Sequence, residues 1–275
     1  MIRQVNIKNF VISNNLPLVL IAGPCQLENR DHAIYIAENI KKICDNLNIN
    51  FVYKTSFDKA NRTSHLSQRG LGLEKSIKIF DEIRKKLNIP ILTDVHSVEQ
   101  CDLLKNSIDI IQIPAFLCRQ TDLLQSAAKT NLVINIKKGQ FLAPWDVSNI
   151  VRKVENFNQN ILLTERGVSF GYNTLISDMR SITIMKKENY PVIFDATHSV
   201  QQPGGKGNKS GGQREFIYDL SKAAVSIGIS GLFIEVHDDP DNAPSDGPNM
   251  LKLSELESFL VKIIKLDNLV KNENL

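Results

Sequence analysis

Four residues far apart in the chain, Cys25, His198, Glu235 and Asp246, have side chains able to hold a divalent metal ion. A thiolate, an imidazole and two carboxylates suit Zn²⁺, Fe²⁺, Mn²⁺ or a similar ion, with room for a water. No short ligand pair such as CxxC supports the set. On residue type alone Cys25 reads more readily as a small buried residue, and His237 competes with His198. A second group is cationic: Lys54, Lys59, Arg62, Lys137, Lys138 and Arg166. Gathering such charges is costly unless anions neutralise them. Arginine binds phosphate or carboxylate in bidentate fashion and lysine acts as a point charge. The implied ligand carries more than one phosphate or carboxylate. Lys137 and Lys138 are neighbours, so one of the pair is expected to reach solvent. Strand alternation puts Lys137 on the face of Asn135 and makes it the inward member.

The elements that must position these residues follow a repeating pattern. Apolar runs at 16–25, 51–57, 91–96, 110–115, 132–139, 161–167, 192–199 and 231–237 alternate with amphipathic stretches such as HAIYIAENIKKICDNL and LEKSIKIFDEIRKKLN. Continuous apolar strands alternating with helices predict a parallel sheet covered on its outer face. Eight such repeats in 275 residues point to a closed (β/α)8 TIM barrel of the α/β class, spanning the chain as a single domain. A glycine-rich dinucleotide turn after the first strand would favour an open sheet, and GPCQLEN is not one. Residues 1–15 alternate in character and predict a short strand or hairpin that plugs the barrel bottom. In such a barrel the site forms where strands end. Here those ends carry Cys25, Lys54, Ser56, Asp94, His96, Gln112, Asn135, Lys137, Glu165, Arg166, Asp195, His198, Glu235 and His237. The net charge of +3 argues against nucleic-acid or membrane partners, and no apolar run approaches the ~20 residues of a membrane span. Four scattered cysteines and a polar start predict a reduced, cytoplasmic setting.

With these residues placed, the chain resembles the 3-deoxy-D-manno-octulosonate 8-phosphate synthases over nearly its whole length. The matching stretches run from AGPC at 22–25 through KTSFDKANRTS at 54–64 to SDGPN at 245–249. Between them lie LTDVH, IPAFLCRQTDLL, INIKKGQF, ERGVSFGYN, DATHSVQQPGG and GGQREF. The related 3-deoxy-arabino-heptulosonate 7-phosphate synthases read KPRTS where this chain reads KANRTS. That difference favours arabinose 5-phosphate over erythrose 4-phosphate as acceptor.

The resemblance implies condensation of phosphoenolpyruvate with arabinose 5-phosphate and water, a step toward the inner-core sugar of lipopolysaccharide. Lys54, Ser56, Lys59, Lys137 and Arg166 would hold phosphoenolpyruvate, and Asn61, Arg62 and Thr63 would position the acceptor. Arg119 would reach the acceptor phosphate from a neighbouring subunit of a homotetramer. Lys137 and His198 are the implied proton-transfer groups. Asp94 would hold a substrate hydroxyl or a water, and Lys59 completes the candidate catalytic set. The loop at 200–214 resembles a lid. Metal-independent members have Asn at the position of Cys25. Cys25 with His198, Glu235 and Asp246 therefore implies the metal-dependent class, with one ion per subunit, and Ser245 agrees with it. The rivals are the heptulosonate synthase reaction, a Schiff-base aldolase built on one lysine in an apolar pocket, and a non-catalytic phosphosugar-binding barrel.

Overall fold

The computed structural model describes residues 2–61, 68–205 and 210–273. Eight parallel strands alternate with helices: β1 (Val19–Gly23), α1 (Arg30–Leu47), β2 (Phe51–Lys54), α2 (Leu73–Leu87), β3 (Ile91–Asp94), α3 (Val98–Leu104), β4 (Ile110–Ile113) and α4 (Thr121–Lys129). Then come β5 (Val133–Lys137), α5 (Val147–Val154), β6 (Ile161–Glu165), α6 (Arg180–Lys186), β7 (Val192–Asp195), α7 (Ile217–Val225), β8 (Gly231–His237) and α8 (Leu253–Asn272). Each strand pairs with the next, β7 pairs with β8, and β8 pairs in parallel with β1, which closes the barrel. The expected (β/α)8 architecture is the observed one. No helix among the described residues is long and apolar enough to cross a membrane.

Sequence chemistry explains the segmentation. The Asn29 side chain accepts the His32 N–H and starts α1. Asn48 and Asn88 end α1 and α2 in the left-handed conformation that asparagine tolerates. Outward strand residues such as Leu20, Tyr53, Ile111, Ile134 and Ile234 pack with the helices in one apolar layer.

The strand interior forms a separate, smaller core. Val19, Ile21, Val52, Leu92, Ile110, Val133, Leu162, Ile193 and Phe233 fill the lower barrel. The N-terminal segment is an antiparallel hairpin of Val5–Ile7 and Phe10–Ile12, as expected, and its Val5, Ile7 and Ile12 join that core. Asn14 fastens the floor: its Oδ1 accepts from the Val192 N–H and the Ser230 hydroxyl, and its amide donates to the Tyr190 carbonyl. Period two then dictates what lies one step up each strand. Lys54, Asp94, Gln112, Asn135, Thr164, Asp195 and Glu235 follow the apolar floor residues by two positions, and Lys137 follows Asn135. A polar chamber therefore stands on an apolar plug.

Candidate active site

A hydrogen-bonded polar layer separates plug from mouth. Thr164 Oγ1 donates to Asn135 Oδ1, and the Asn135 amide donates to Gln112 Oε1 at 3.0 Å. Phe233 marks the boundary on β8, with the Lys137 ammonium 3.4 Å and the Lys54 ammonium 5.3 Å from its ring centroid. The aromatic face offsets part of the cost of holding cations away from water.

Above this layer the charges interlock. Lys54 Nζ donates to Glu235 Oε1 at 2.5 Å, both residues being buried. Lys137 is ion-paired with Asp195. Asp195 Oδ2 also lies 2.8 Å from His198 Nδ1, close enough for an ion pair but without hydrogen-bond geometry, and His198 Nε2 faces Glu235 Oε1 at 3.7 Å. A carboxylate beside the ring nitrogen remote from the ligand set is the partner that orients a metal-ligating imidazole. Cys25 Sγ lies 3.1 Å from Asp246 Oδ2. Donor atoms of Cys25, Glu235 and Asp246 all lie within 4.8 Å of one another. Three of the four expected ligands thus converge, with His198 against Glu235. Asp246 adopts φ 52°, a left-handed conformation that turns the loop after β8 back over the mouth.

Lys59 Nζ donates to the Ser56 hydroxyl at 3.0 Å, and a backbone bridge between Gln26 and Ser56 ties that segment to the one bearing Cys25. Arg166 Nη2 donates to Gln201 Oε1, whose amide donates to Asp246 Oδ1. Asp94 pairs with His96 at 3.0 Å. Asn61 and Arg119 are exposed, Arg119 in the segment following β4. Arg62, Thr63 and part of the 200–214 loop lie outside the described residues.

Electrostatics follow from this packing. Burial pushes the Cys25 thiol well up, and the charge on Glu235 adds to the effect. Burial opposes ionisation of Glu235 and Asp195. Their cationic partners outweigh it, Lys54 first for Glu235 and His198 and Lys137 for Asp195, and hold both well below the usual carboxylate range. Burial lowers Lys137 to about 8 despite Asp195. The same desolvation lowers Arg166, and for Lys59 the surrounding anions overcome it and raise the ammonium. Buried atoms in the mouth that make no hydrogen bond include Asp94 Oδ1, His96 Nδ1, Arg166 Nη1, His198 Nδ1 and Glu235 Oε2. Leaving such atoms unpaired costs about 1–3 kcal/mol each, a deficit that a bound anion, hydroxyl or cation removes.

Two expectations are corrected. Lys138 does not reach solvent: it is 1% exposed, and its ammonium lies 3.4 Å from Glu165 Oε1. Alternation turns both residues outward, away from the chamber. Glu165 there also accepts from the Ser181 hydroxyl and from the Arg166 and Gly167 amides, so it supports the loop rather than the mouth. His237 joins Glu28 and His32 instead of the Cys25 group. Sequence reasoning missed Gln201, which links Arg166 to Asp246, and the supporting role of Asp195. Alternation with Lys137 could have identified Asp195; the two-residue strand that carries Gln201 is too short to have signalled it.

Comparison with known proteins agrees with this geometry. Residues 3–272 match the family model described as the DAHP synthetase I family. A 2-dehydro-3-deoxyphosphooctonate aldolase of Bartonella tribocorum is 58% identical over 272 residues, covering 98% of each chain. Proteins of the same name from Chelativorans sp. and Brucella canis are 56% and 57% identical, covering 98% and 97% of both chains. A phosphorylated 2-dehydro-3-deoxyoctonate and a phosphorylated 3-deoxyoctulosonate are the same keto acid. The similarity to these relatives runs over nearly the whole chain, and the chain belongs to the DAHP synthetase I family.

Proposed function

We propose that this chain condenses phosphoenolpyruvate with D-arabinose 5-phosphate and water, giving 3-deoxy-D-manno-octulosonate 8-phosphate and inorganic phosphate. It would act in the cytoplasm as a homotetramer, supplying the inner-core sugar of lipopolysaccharide. The observation that carries the reading is the convergence of buried Lys54, Lys137 and Arg166 on one chamber, in a chain so similar to octonate aldolases.

Lys54, Ser56, Lys59, Lys137 and Arg166 hold the carboxylate and phosphate of phosphoenolpyruvate. Asn61, Arg62, Thr63 and Arg119 receive the acceptor. C3 of phosphoenolpyruvate bonds to the aldehyde carbon, and the aldehyde oxygen takes a proton. Water adds its oxygen to C2 and releases a proton. Phosphate then leaves with the bridging oxygen as the C2–O bond breaks, the C2 hydroxyl gives its proton to the departing phosphate, and C2 becomes a ketone. Lys137 stands beside Asp195 and exchanges these protons, while His198, whose Nε2 faces the metal set, is kept in place by Asp195. Asp94 Oδ1, unpaired and buried, accepts a substrate hydroxyl or the water. Fixing two anionic substrates against prepositioned cations lowers the barrel's reaction barrier by several kcal/mol.

The residues fit a divalent ion. Glu235 Oε2 is buried without a partner, and Cys25 is a thiol that burial keeps protonated until a cation replaces the proton. Cys25, His198, Glu235 and Asp246 would hold it, where it supplies positive charge that orients the aldehyde.

The test is an acceptor assay with metal analysis. Phosphate release should require arabinose 5-phosphate, with erythrose 4-phosphate a poor substitute. Chelation should abolish turnover and added divalent ions restore it. Equal rates with erythrose 4-phosphate would overturn the acceptor, and full activity in chelator would overturn the metal.

A further inference from the structure

A second cluster of metal-ligating side chains lies outside the catalytic set and shares no residue with it. Glu28 immediately precedes the cap of α1, His32 sits in the first turn of that helix, and His237 and Asp238 lie at the end of β8. One donor atom from each of Glu28, His32 and His237 lies within 4.8 Å of the other two. His237 Nε2 is 2.7 Å from Glu28 Oε1, and His32 Nδ1 is 3.9 Å from the same oxygen. The two imidazoles stand 4.7 Å apart, centroid to centroid.

The far sides of both rings meet a single acceptor. Asp238 Oδ1 is 3.0 Å from His32 Nε2 and 3.1 Å from His237 Nδ1. A carboxylate that takes the outer N–H of each ring turns the inner lone pairs toward Glu28, the outer-shell arrangement typical of histidine metal sites. In the ion-free state His237 Nδ1 instead accepts the Asp239 N–H at 2.9 Å, so its proton sits on Nε2 against Glu28. When an ion takes Nε2, the ring proton moves to Nδ1, which gives up the Asp239 N–H and donates to Asp238. Two buried groups await a partner: His32 Nδ1 makes no hydrogen bond, and neither does the fully buried Tyr53 hydroxyl, within electrostatic reach of Glu28.

We propose that Glu28, His32 and His237 form a second divalent-metal site, oriented by Asp238, that takes a borderline ion such as Zn²⁺, Co²⁺ or Ni²⁺. Two imidazoles and one carboxylate suit these ions rather than Mg²⁺ or Ca²⁺, which prefer all-oxygen shells. The ion clamps the start of α1 to the end of β8. Those segments carry Cys25 and Glu235, so the clamp steadies the mouth without touching substrate.

Equilibrium dialysis of the full chain against Co²⁺, with its absorption spectrum, tests this. The wild type should bind one more ion per subunit than His32→Gln or His237→Gln does. Any thiolate-to-cobalt band from Cys25 should persist in both variants, so the loss is separable from the Cys25 site. Zn²⁺ should raise the Tm of His32→Gln by less than that of the wild type, and the two Tm values should agree in chelator. Equal ion counts in wild type and His32→Gln would overturn the proposal, as would loss of the thiolate band without loss of a further ion. Should the wild type show no thiolate band, the count difference between wild type and His32→Gln still decides the matter.

Discussion

Burial of Lys137 lowers its pKa to about 8, and the Asp195 carboxylate opposes the loss of charge. The ammonium therefore titrates within an ordinary assay range. Its charged form predominates below that value and is lost as pH rises through it. If Lys137 binds phosphoenolpyruvate as a cation, kcat/KM for that substrate falls as pH rises through about 8. Asp195→Asn removes the charge that raises Lys137, so its midpoint should move to lower pH; a profile unchanged by Asp195→Asn would separate the limb from Lys137. Lys137→Met should lower kcat/KM on the order of 10²–10³-fold, the range seen when one preorganised charge-stabilising donor is removed. At the metal set, Cys25→Asn should reduce bound metal while leaving some activity. Unchanged metal content in that variant would show that Cys25 is not a ligand.

The elements hold these side chains through close backbone contacts, and Gly23 at the end of β1 is the tightest. Its φ is +156°, and a Cβ there would run into the Lys54 carbonyl oxygen. The β1–β2 junction carries Cys25 on one side and Lys54 on the other, so any shift reaches the mouth. Gly23→Ala should destabilise by about 2–3 kcal/mol, read as a lower urea midpoint, with weakened metal binding. Gly72→Ala is the contrast: φ is +78° but a Cβ would meet nothing within 4 Å, so only ~1–2 kcal/mol of backbone strain is expected. Equal losses in the two variants would remove the steric argument. Period two made these elements readable from sequence, because strand interiors alternate strictly. It placed Lys137 on the inner face with Asn135 and read the N-terminal alternation as a plug. Alternation continues through Lys138 and Glu165, and counting them with the strand-end residues of the mouth hid their outward pairing. Gln201 sits in a two-residue strand paired with Gly211–Gly212, and Asp246 in the loop after β8; neither has a regular stretch long enough for periodicity to encode its path. For that reason the Gln201 link was not legible, and Asp246 was named for its carboxylate with no local pattern fixing its place.

At the scale of the molecule, Arg119 stands apart from the chamber it is expected to serve. It is exposed, in the segment that follows β4. Near it in sequence, or in the segment following β5, Phe116, Phe141 and Trp145 are 55%, 57% and 65% exposed. Large exposed aromatics so close to a site's rim are a costly surface for an isolated subunit and a natural one for an interface. If a neighbouring copy covers this face, Arg119 is carried toward that copy's acceptor phosphate, and by symmetry the exchange is mutual. Complementation tests this. Arg119→Ala alone should raise the KM for arabinose 5-phosphate far more than that for phosphoenolpyruvate, and Lys137→Met alone should be nearly inactive. When the two variants are dissociated together and reassembled at equal ratio, a site with Lys137 in its body and Arg119 from its neighbour is restored. Random assembly gives about a quarter of the sites that composition, so activity should recover to about that fraction of wild type. If Arg119 acts within its own subunit, no mixed assembly contains an intact site beyond those of the parents. Activity would then stay at the mean of the two variants, and the shared-site reading would be lost.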